Sequence, residues 1–198
     1  TAYEIRNCDW SSDVCSSDLE KWDCFDPEGI SVKPSLFGKV GDYLGFSGYY
    51  NPFTGEAQLN TGSPDVLKPF IACHEMAHQM GFAQEKEANF SGYLAATHSN
   101  DVRLKYSAYL EMYFYVMGRL KKTDSLEAKK IKLKLIPGVV ADIKSIEDHY
   151  KQYENAMEPL FDVVYGIFLM GNKQPEGMES YSDAVRIVIG YYKTFGYN

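Results

Sequence analysis

Histidine is scarce in this chain: four occur among 198 residues, and two of them, His74 and His78, stand four apart. Long apolar runs are missing as well. No stretch of eighteen or more apolar residues occurs in the chain as given, so no segment reads as a membrane span. Basic clusters are absent too. With 20 Lys and Arg against 27 Asp and Glu, a net charge of -7 and a pI near 5.1, the chain lacks the counterion-releasing basic face that a nucleic-acid partner requires. Its one lysine-rich stretch, residues 118–134, interleaves cations with acids and apolar residues and reads as a solvated helical face.

Cysteine is sparse, and half of it falls in a segment that looks out of place. Residues 1–19, TAYEIRNCDWSSDVCSSDL, crowd Ser, Asp and Cys together with no helical or strand period, so they offer no face to bury. This segment closely resembles the translation of a sequencing adapter, and we read it as foreign to the domain, which then spans residues 20–198 and has lost whatever preceded it. The missing charged start, apolar centre and cleavage site of a signal peptide therefore exclude little. Setting the segment aside removes Cys8 and Cys15 and three of the seven net negative charges. The remaining Cys24 and Cys73 are too few and too far apart for a disulfide framework or a cysteine metal site.

What is present suits one globular domain, with 45% hydrophobic and 24% charged residues. Residues 20–44 mix short apolar pieces with Pro27, Gly29 and Pro34 and yield no long element. Residues 45–65 read as a hairpin, with Phe46, Tyr49 and Tyr50 on one arm, NPFTG as a proline-initiated turn and EAQLNT as the return arm. The next segment predicts a helix from near Pro69 to about Met80, because proline is tolerated in a first helical turn and Gly81 supplies a natural stop. Beyond residue 84 apolar residues recur three and four apart almost throughout. One stripe runs through Val139, Ile143, Ile146, Tyr150, Tyr153, Met157, Leu160, Phe161 and Val164, and SYSDAVRIVIGYYKTFG forms a final helix with Ser180 or Ser182 available as its cap.

The chemistry concentrates in CHEMAHQMGFAQEKEANF, residues 73–90. Positions four apart on a helix share a face, so His74 and His78 can meet one ion. Glu75 lies about 100° around the axis, beside the ion rather than on it, where a general base takes a proton from a water held there. A Zn²⁺ ion between neutral imidazoles lowers the pKa of bound water toward about 7. The third ligand is open to three readings. A histidine three residues past the turn at Gly81 is excluded, because position 84 is Gln, a poor zinc ligand. Glu85 and Glu87 remain, about 200° apart on the following helix, so only one faces the ion. Glu87 shares a side with Phe90, Ser91 and Leu94, a stripe expected to pack inward, whereas Glu85 shares a side with Ala88, Asn89 and Gly92. Burial of the apolar stripe favours Glu87, leaving Glu85 as a solvated acid stabilised by the helix dipole.

HEMAHQMGFAQEKEANFSGYLAA, GYYNPFTGEAQLNT and SYSDAVRIVIGYYKTFG together resemble a bacterial zincin-type family known as domain of unknown function 3810, over essentially residues 20–198. Through the same motif the chain is similar to the glutamate-ligand zinc peptidases, in which the second glutamate of ExEAN completes the metal site. That resemblance implies Glu87 as the ligand. It also implies membrane-spanning segments upstream of the domain in the full-length protein.

The expectation is an α+β zincin-like domain of the glutamate-ligand type, a small sheet or hairpin followed by a metal helix and a mostly helical C-terminal half. It would hydrolyse peptide bonds in a peptide or protein substrate, with one Zn²⁺ on His74, His78 and Glu87 and with Glu75 as base. Tyr49, Tyr50, Tyr106 and His149 are weaker candidates for stabilising an oxyanion. Cys73 reads as a small buried residue, and His98 lies too far along its helix from Glu87 to share the ion. The arm EAQLNT is a candidate strand edge for binding an extended substrate. The competing readings are a catalytically inactive zinc-binding sensor or interaction domain and a helical scaffold that uses no metal. Oligomeric state is not assigned.

Overall fold

The computed structural model describes residues 30–153 and 180–196. In chain order these form β1 (Val32–Pro34), α1 (Gly38–Leu44), β2 (Gly48–Asn51), β3 (Glu56–Leu59), α2 (Lys68–Gln79), α3 (Glu85–His98), α4 (Val102–Thr123), α5 (Ser125–Leu133), α6 (Pro137–Tyr153) and α7 (Ser180–Phe195). The class is α+β and mostly helical, as the periodicity predicts. Residues 1–29, which include the segment read as foreign, and residues 154–179, which include the stripe positions Met157, Leu160, Phe161 and Val164, lie outside the described residues.

The expected hairpin is present. β2 and β3 pair antiparallel, with Tyr49 opposite Gln58 and Tyr50 opposite Ala57, and the turn closes at Gly55 with φ 71°, a left-handed conformation natural to glycine. The chain before it contributes more than the sequence indicates. β1 pairs parallel to β3, Val32 opposite Ala57, which gives a three-stranded sheet in the order β1-β3-β2. This corrects the expectation that EAQLNT offers an edge for substrate: β3 is the central strand, hydrogen-bonded on both sides. β1 and β2 are the edges among the described residues.

Helix α2 starts as expected and stops for a specific reason. Pro69 lies in its first turn, where a missing N–H removes only a donor that would lack an intrahelical partner. Leu67 offers no side-chain cap. Ser107 of α4 supplies one from across the core: its Oγ accepts from the Phe70 N–H at 3.0 Å and donates to the Leu67 carbonyl at 3.1 Å. At the other end Gly81 has φ 101°, the Gly81 N–H reaches the His78 carbonyl and the Phe82 N–H reaches back to the Ala77 carbonyl at 3.1 Å. That pair of bonds is a Schellman closure, which glycine makes at low conformational cost.

α2 lies between the sheet and the helical half. Ala57 and Leu59 of β3 are buried, and Phe70, Cys73 and Met76 of α2 pack with Tyr93 and Leu94 of α3 and Leu104 and Met112 of α4. Truncating Phe70, 2% exposed, to alanine costs about 3–5 kcal/mol from lost transfer energy and the cavity left behind. α3 approaches α2 through its small residues. A Cβ on Gly92 would sit 3.0 Å from the His74 nitrogen and 3.1 Å from its Cα, so this crossing depends on glycine. Ile143 and Ile146 of α6 are buried against Leu67 and Leu110, with Val139 packed beside them, whereas Tyr150 of the predicted stripe is exposed.

Candidate metal centre

The Schellman closure that ends α2 also sets the chemistry of one histidine. It brings the Phe82 carbonyl to 2.7 Å from His78 Nδ1. A carbonyl only accepts, so Nδ1 carries the proton and Nε2 presents a lone pair. His78 Nε2 lies 3.1 Å from His74 Nε2. The Glu85 carboxylate spans both rings, with Oε2 3.4 Å from His74 Nε2 and Oε1 3.6 Å from His78 Nε2.

These spacings fit one cation. Ligand atoms placed tetrahedrally at about 2.0–2.2 Å from zinc stand about 3.3–3.6 Å from one another. The three side chains are 12%, 13% and 7% exposed, which separates them from the solvated acid clusters common on protein surfaces. Two imidazoles and one carboxylate are the donor set for Zn²⁺. Among the described residues these three side chains form the group able to hold a metal ion.

The structure thus brings Glu85, not Glu87, to the histidines. Glu87 is half-buried and stands apart from the cluster. The physical reason is the choice of packing face on α3. The small-residue side, Ala88, Asn89, Gly92 and Ala96, lies against α2 because it allows the backbones to approach, and Glu85 is on that side. Phe90, on the stripe expected to face α2, packs instead on Tyr191 of α7, with ring centroids 5.9 Å apart.

Electrostatics follow from burial. Desolvation alone would raise the Glu85 carboxyl, but the hydrogen bonds and charges of His74 and His78 outweigh it and hold it well below the usual carboxylate range. Burial lowers His74, yet Glu85, with Glu75 and Glu111 nearby, raises it overall. Glu75 is pushed up to about 7 by burial, only partly offset by the two imidazoles, and Glu85 adds to the rise. It is 5% exposed, and its Oε2 has no hydrogen-bond partner. Strand β2 passes directly over it: a Cβ on Gly48 would meet Glu75 Oε1 at 2.7 Å.

Residues 14–189 match the family described as Protein of unknown function (DUF3810). The chain belongs to that family. No curated protein and no solved structure matches it. In this DUF3810 chain no described helix is long and apolar enough to cross a membrane.

Of the weaker candidates of the DUF3810 domain, Tyr49, Tyr106 and His149 have other partners. Tyr49 donates to Gln58 Oε1 at 2.5 Å and Tyr106 to Asp142 Oδ2 at 2.5 Å. His149 Nε2 is 4.0 Å from Asp42, and His98 Nδ1 is 2.9 Å from the Leu94 carbonyl. Cys73 is buried in the core. Two residues near the centre escape the sequence reading. The Tyr150 hydroxyl is 3.3 Å from Ser47 Oγ, next to Gly48; burial raises its pKa, opposed by Ser47 and reinforced by Glu111 and Asp42. Glu111 is raised by burial against the opposing pull of Tyr115 and His74. Tyr150 is hidden within an apolar stripe. Glu111 leaves a signal: Ser107, Glu111 and Tyr115 are four apart on one face of α4, from which Ser107 reaches Phe70 of α2 and Tyr115 reaches Asn89 of α3.

Proposed function

We propose that this domain hydrolyses peptide bonds as a zinc metallopeptidase of zincin-like type, with His74, His78 and Glu85 as ligands and Glu75 as general base. The observation that carries the reading is the convergence of the His78 lone pair, fixed by Phe82, with His74 Nε2 and both Glu85 oxygens. A second buried carboxylate, Glu75, stands beside them. When bound, Zn²⁺ supplies Lewis-acid charge that polarises the scissile carbonyl and acidifies water.

The chain's own residues supply the rest. Glu75, poised near neutrality by burial, accepts a proton from the attacking water as its oxygen bonds to the carbonyl carbon. It then passes that proton to the amide nitrogen as the C–N bond breaks, so the carboxylate is regenerated. Edge strand β2, whose Gly48 packs directly against Glu75, is the side along which an extended peptide adds to the sheet. Three protein ligands leave a coordination position for water, a feature of catalytic rather than structural zinc sites. Membrane attachment through an upstream segment is compatible with this reading.

The test is digestion of a peptide library by the purified chain as isolated, after chelation and after zinc is restored. Cleavage lost on chelation and recovered with zinc supports the reading. Zinc binding at one equivalent with no cleavage of any peptide would instead favour an inactive zinc-binding domain.

A further inference from the structure

The lysine-rich stretch plays no part in the metal centre. Residues 119–134 hold one arginine and six lysines against two acids, a local charge of +5 in a chain whose net charge is -7. Both acids are occupied within the stretch. Asp124 caps α5, accepting from the Leu126 and Glu127 N–H groups at 3.1 and 2.9 Å, and Glu127 accepts from Lys130 at 2.9 Å. All seven cations are exposed. Six of them have no ion-pair partner among the described residues, Lys130 being the exception.

A solvated helical face accounts for the cations but not for the apolar residues among them. Helix α5 turns Ala128, 3% exposed, toward the protein and partly buries Ile131. Positions 126, 129, 130 and 133 share the opposite side, because residues three and four apart on a helix are neighbours. There Leu126 is 69% and Leu133 86% exposed, with Lys129 and Lys130 between them. The connection to α6 repeats the pattern: Leu135 packs inward on the cluster around Leu67 and Leu110, and the next residue, Ile136, is 67% exposed. The helix dipole explains lysines near the end of α5. It gives no reason for large aliphatic side chains to face away from the core beside them, and a patch of this kind marks an interaction surface.

We infer that α5 and the turn after it form a docking surface for an anionic lipid bilayer. Leu126, Leu133 and Ile136 enter the boundary between headgroups and acyl chains, and the lysines around them meet the anionic headgroups. Lysine suits this placement, since its stem lies along apolar surface while the ammonium stays with the headgroups. Charge complementarity selects the partner. A cationic patch on an acidic chain is drawn to an anionic surface while the rest of the chain is repelled, so the patch also fixes which side faces the bilayer. A protein partner fits less well, because protein interfaces are depleted in lysine and anchored by Trp, Tyr and Arg, none of which occurs in α5. A nucleic acid would engage the cations and leave the leucines in water.

The experiment is flotation of the purified chain with vesicles of phosphatidylcholine alone and of phosphatidylcholine mixed with phosphatidylserine, at low and high salt. Wild type is compared with the double variants Leu126→Ser/Leu133→Ser and Lys129→Gln/Lys130→Gln, each checked for folding by circular dichroism. Expected is binding to the mixed vesicles only, weakened by salt. Each double variant is expected to bind roughly 10- to 30-fold more weakly, since one lysine at an anionic surface is worth roughly fivefold in partitioning and a buried leucine at least as much. A wild type that ignores the mixed vesicles overturns the proposal. Binding that the leucine replacements leave unchanged overturns it too, and equally tight binding of a DNA duplex or of polyglutamate would then identify a general polyanion surface. The replaced side chains are exposed, so the fold is expected to tolerate their loss. Should a double variant fail to fold, the single variant Leu133→Ser decides by the same criterion.

Discussion

Gly92 lies against the backbone of His74: a Cβ added there would come within 3.0 Å of the His74 nitrogen and 3.2 Å of the Cys73 carbonyl carbon. Helix α2, which carries the histidines, and the helix carrying Glu85 are therefore spaced by the absence of one methyl group. Alanine in place of a mid-helix glycine ordinarily stabilises by about 0.5–1 kcal/mol. Here the opposing atoms are backbone and cannot rotate away. Gly92→Ala is expected to destabilise the fold by about 1–3 kcal/mol through overpacking and to weaken metal binding as Glu85 is pushed from the histidines. Denaturant unfolding and Co²⁺ titration of the variant check both, and a stabilised variant with intact affinity would show that the helices are not in close contact.

The two candidate carboxylates give opposite results. Glu85→Gln removes an anion whose oxygens lie 3.4 and 3.6 Å from the imidazoles and is expected to lower zinc affinity at least about 100-fold, by analogy with the loss of a charged ligand. Glu87→Gln is expected to leave it within about twofold, because Glu87 stands outside the cluster. Equilibrium dialysis of the two variants decides the assignment, and the reverse pattern would restore Glu87.

Burial of Glu75 makes the metal-free fold sensitive to pH. Its carboxyl is pushed up to about 7 from an ordinary 4.5. The folded form holds this proton more tightly than the unfolded form, so the contribution to stability is fully present below about pH 4.5. It is lost as pH rises through about 7, by about 3 kcal/mol at most. Glu85 behaves oppositely: held low by the imidazoles, it contributes above pH 4.5 and loses that contribution as acid is added. Urea unfolding of chelator-treated protein between pH 5 and 8 is expected to show wild type losing about 2–3 kcal/mol relative to Glu75→Gln. Parallel profiles would mean that Glu75 ionises freely.

The stop at Gly81 carries a prediction of its own. Its φ of 101° strains any residue with a Cβ, and the turn it makes aims the Phe82 carbonyl at His78 Nδ1. Gly81→Ala is expected to cost about 1–2 kcal/mol and to reduce zinc affinity several-fold as the His78 tautomer loses its partner. Thermal unfolding with and without zinc separates the two effects.

What was legible in the sequence was mostly local. Pro69 and Gly81 mark the ends of α2 because one lacks a donor where none is needed and the other accepts a positive φ. NPFTG marks the hairpin for the same kind of reason. The pairing of β1 with β3 was not legible, because three residues ending in Pro34 carry no periodicity and their partner lies 25 positions on. That omission made β3 look like an edge. Which acid of α3 turns toward the histidines was not legible, because bulky apolar residues were taken to mark the face packed on α2. Close helix packing instead selects small residues, and a carboxylate beside Ala88, Asn89 and Gly92 is carried inward with them.

The most direct measurement is zinc content paired with turnover, on wild type and Glu75→Gln purified identically. The account predicts one zinc per chain in both proteins, peptide cleavage by wild type, and a rate at least about 1,000-fold lower in the variant, which keeps its ligands and loses its base. Undiminished cleavage by Glu75→Gln, or a wild type that takes up no zinc, would contradict it.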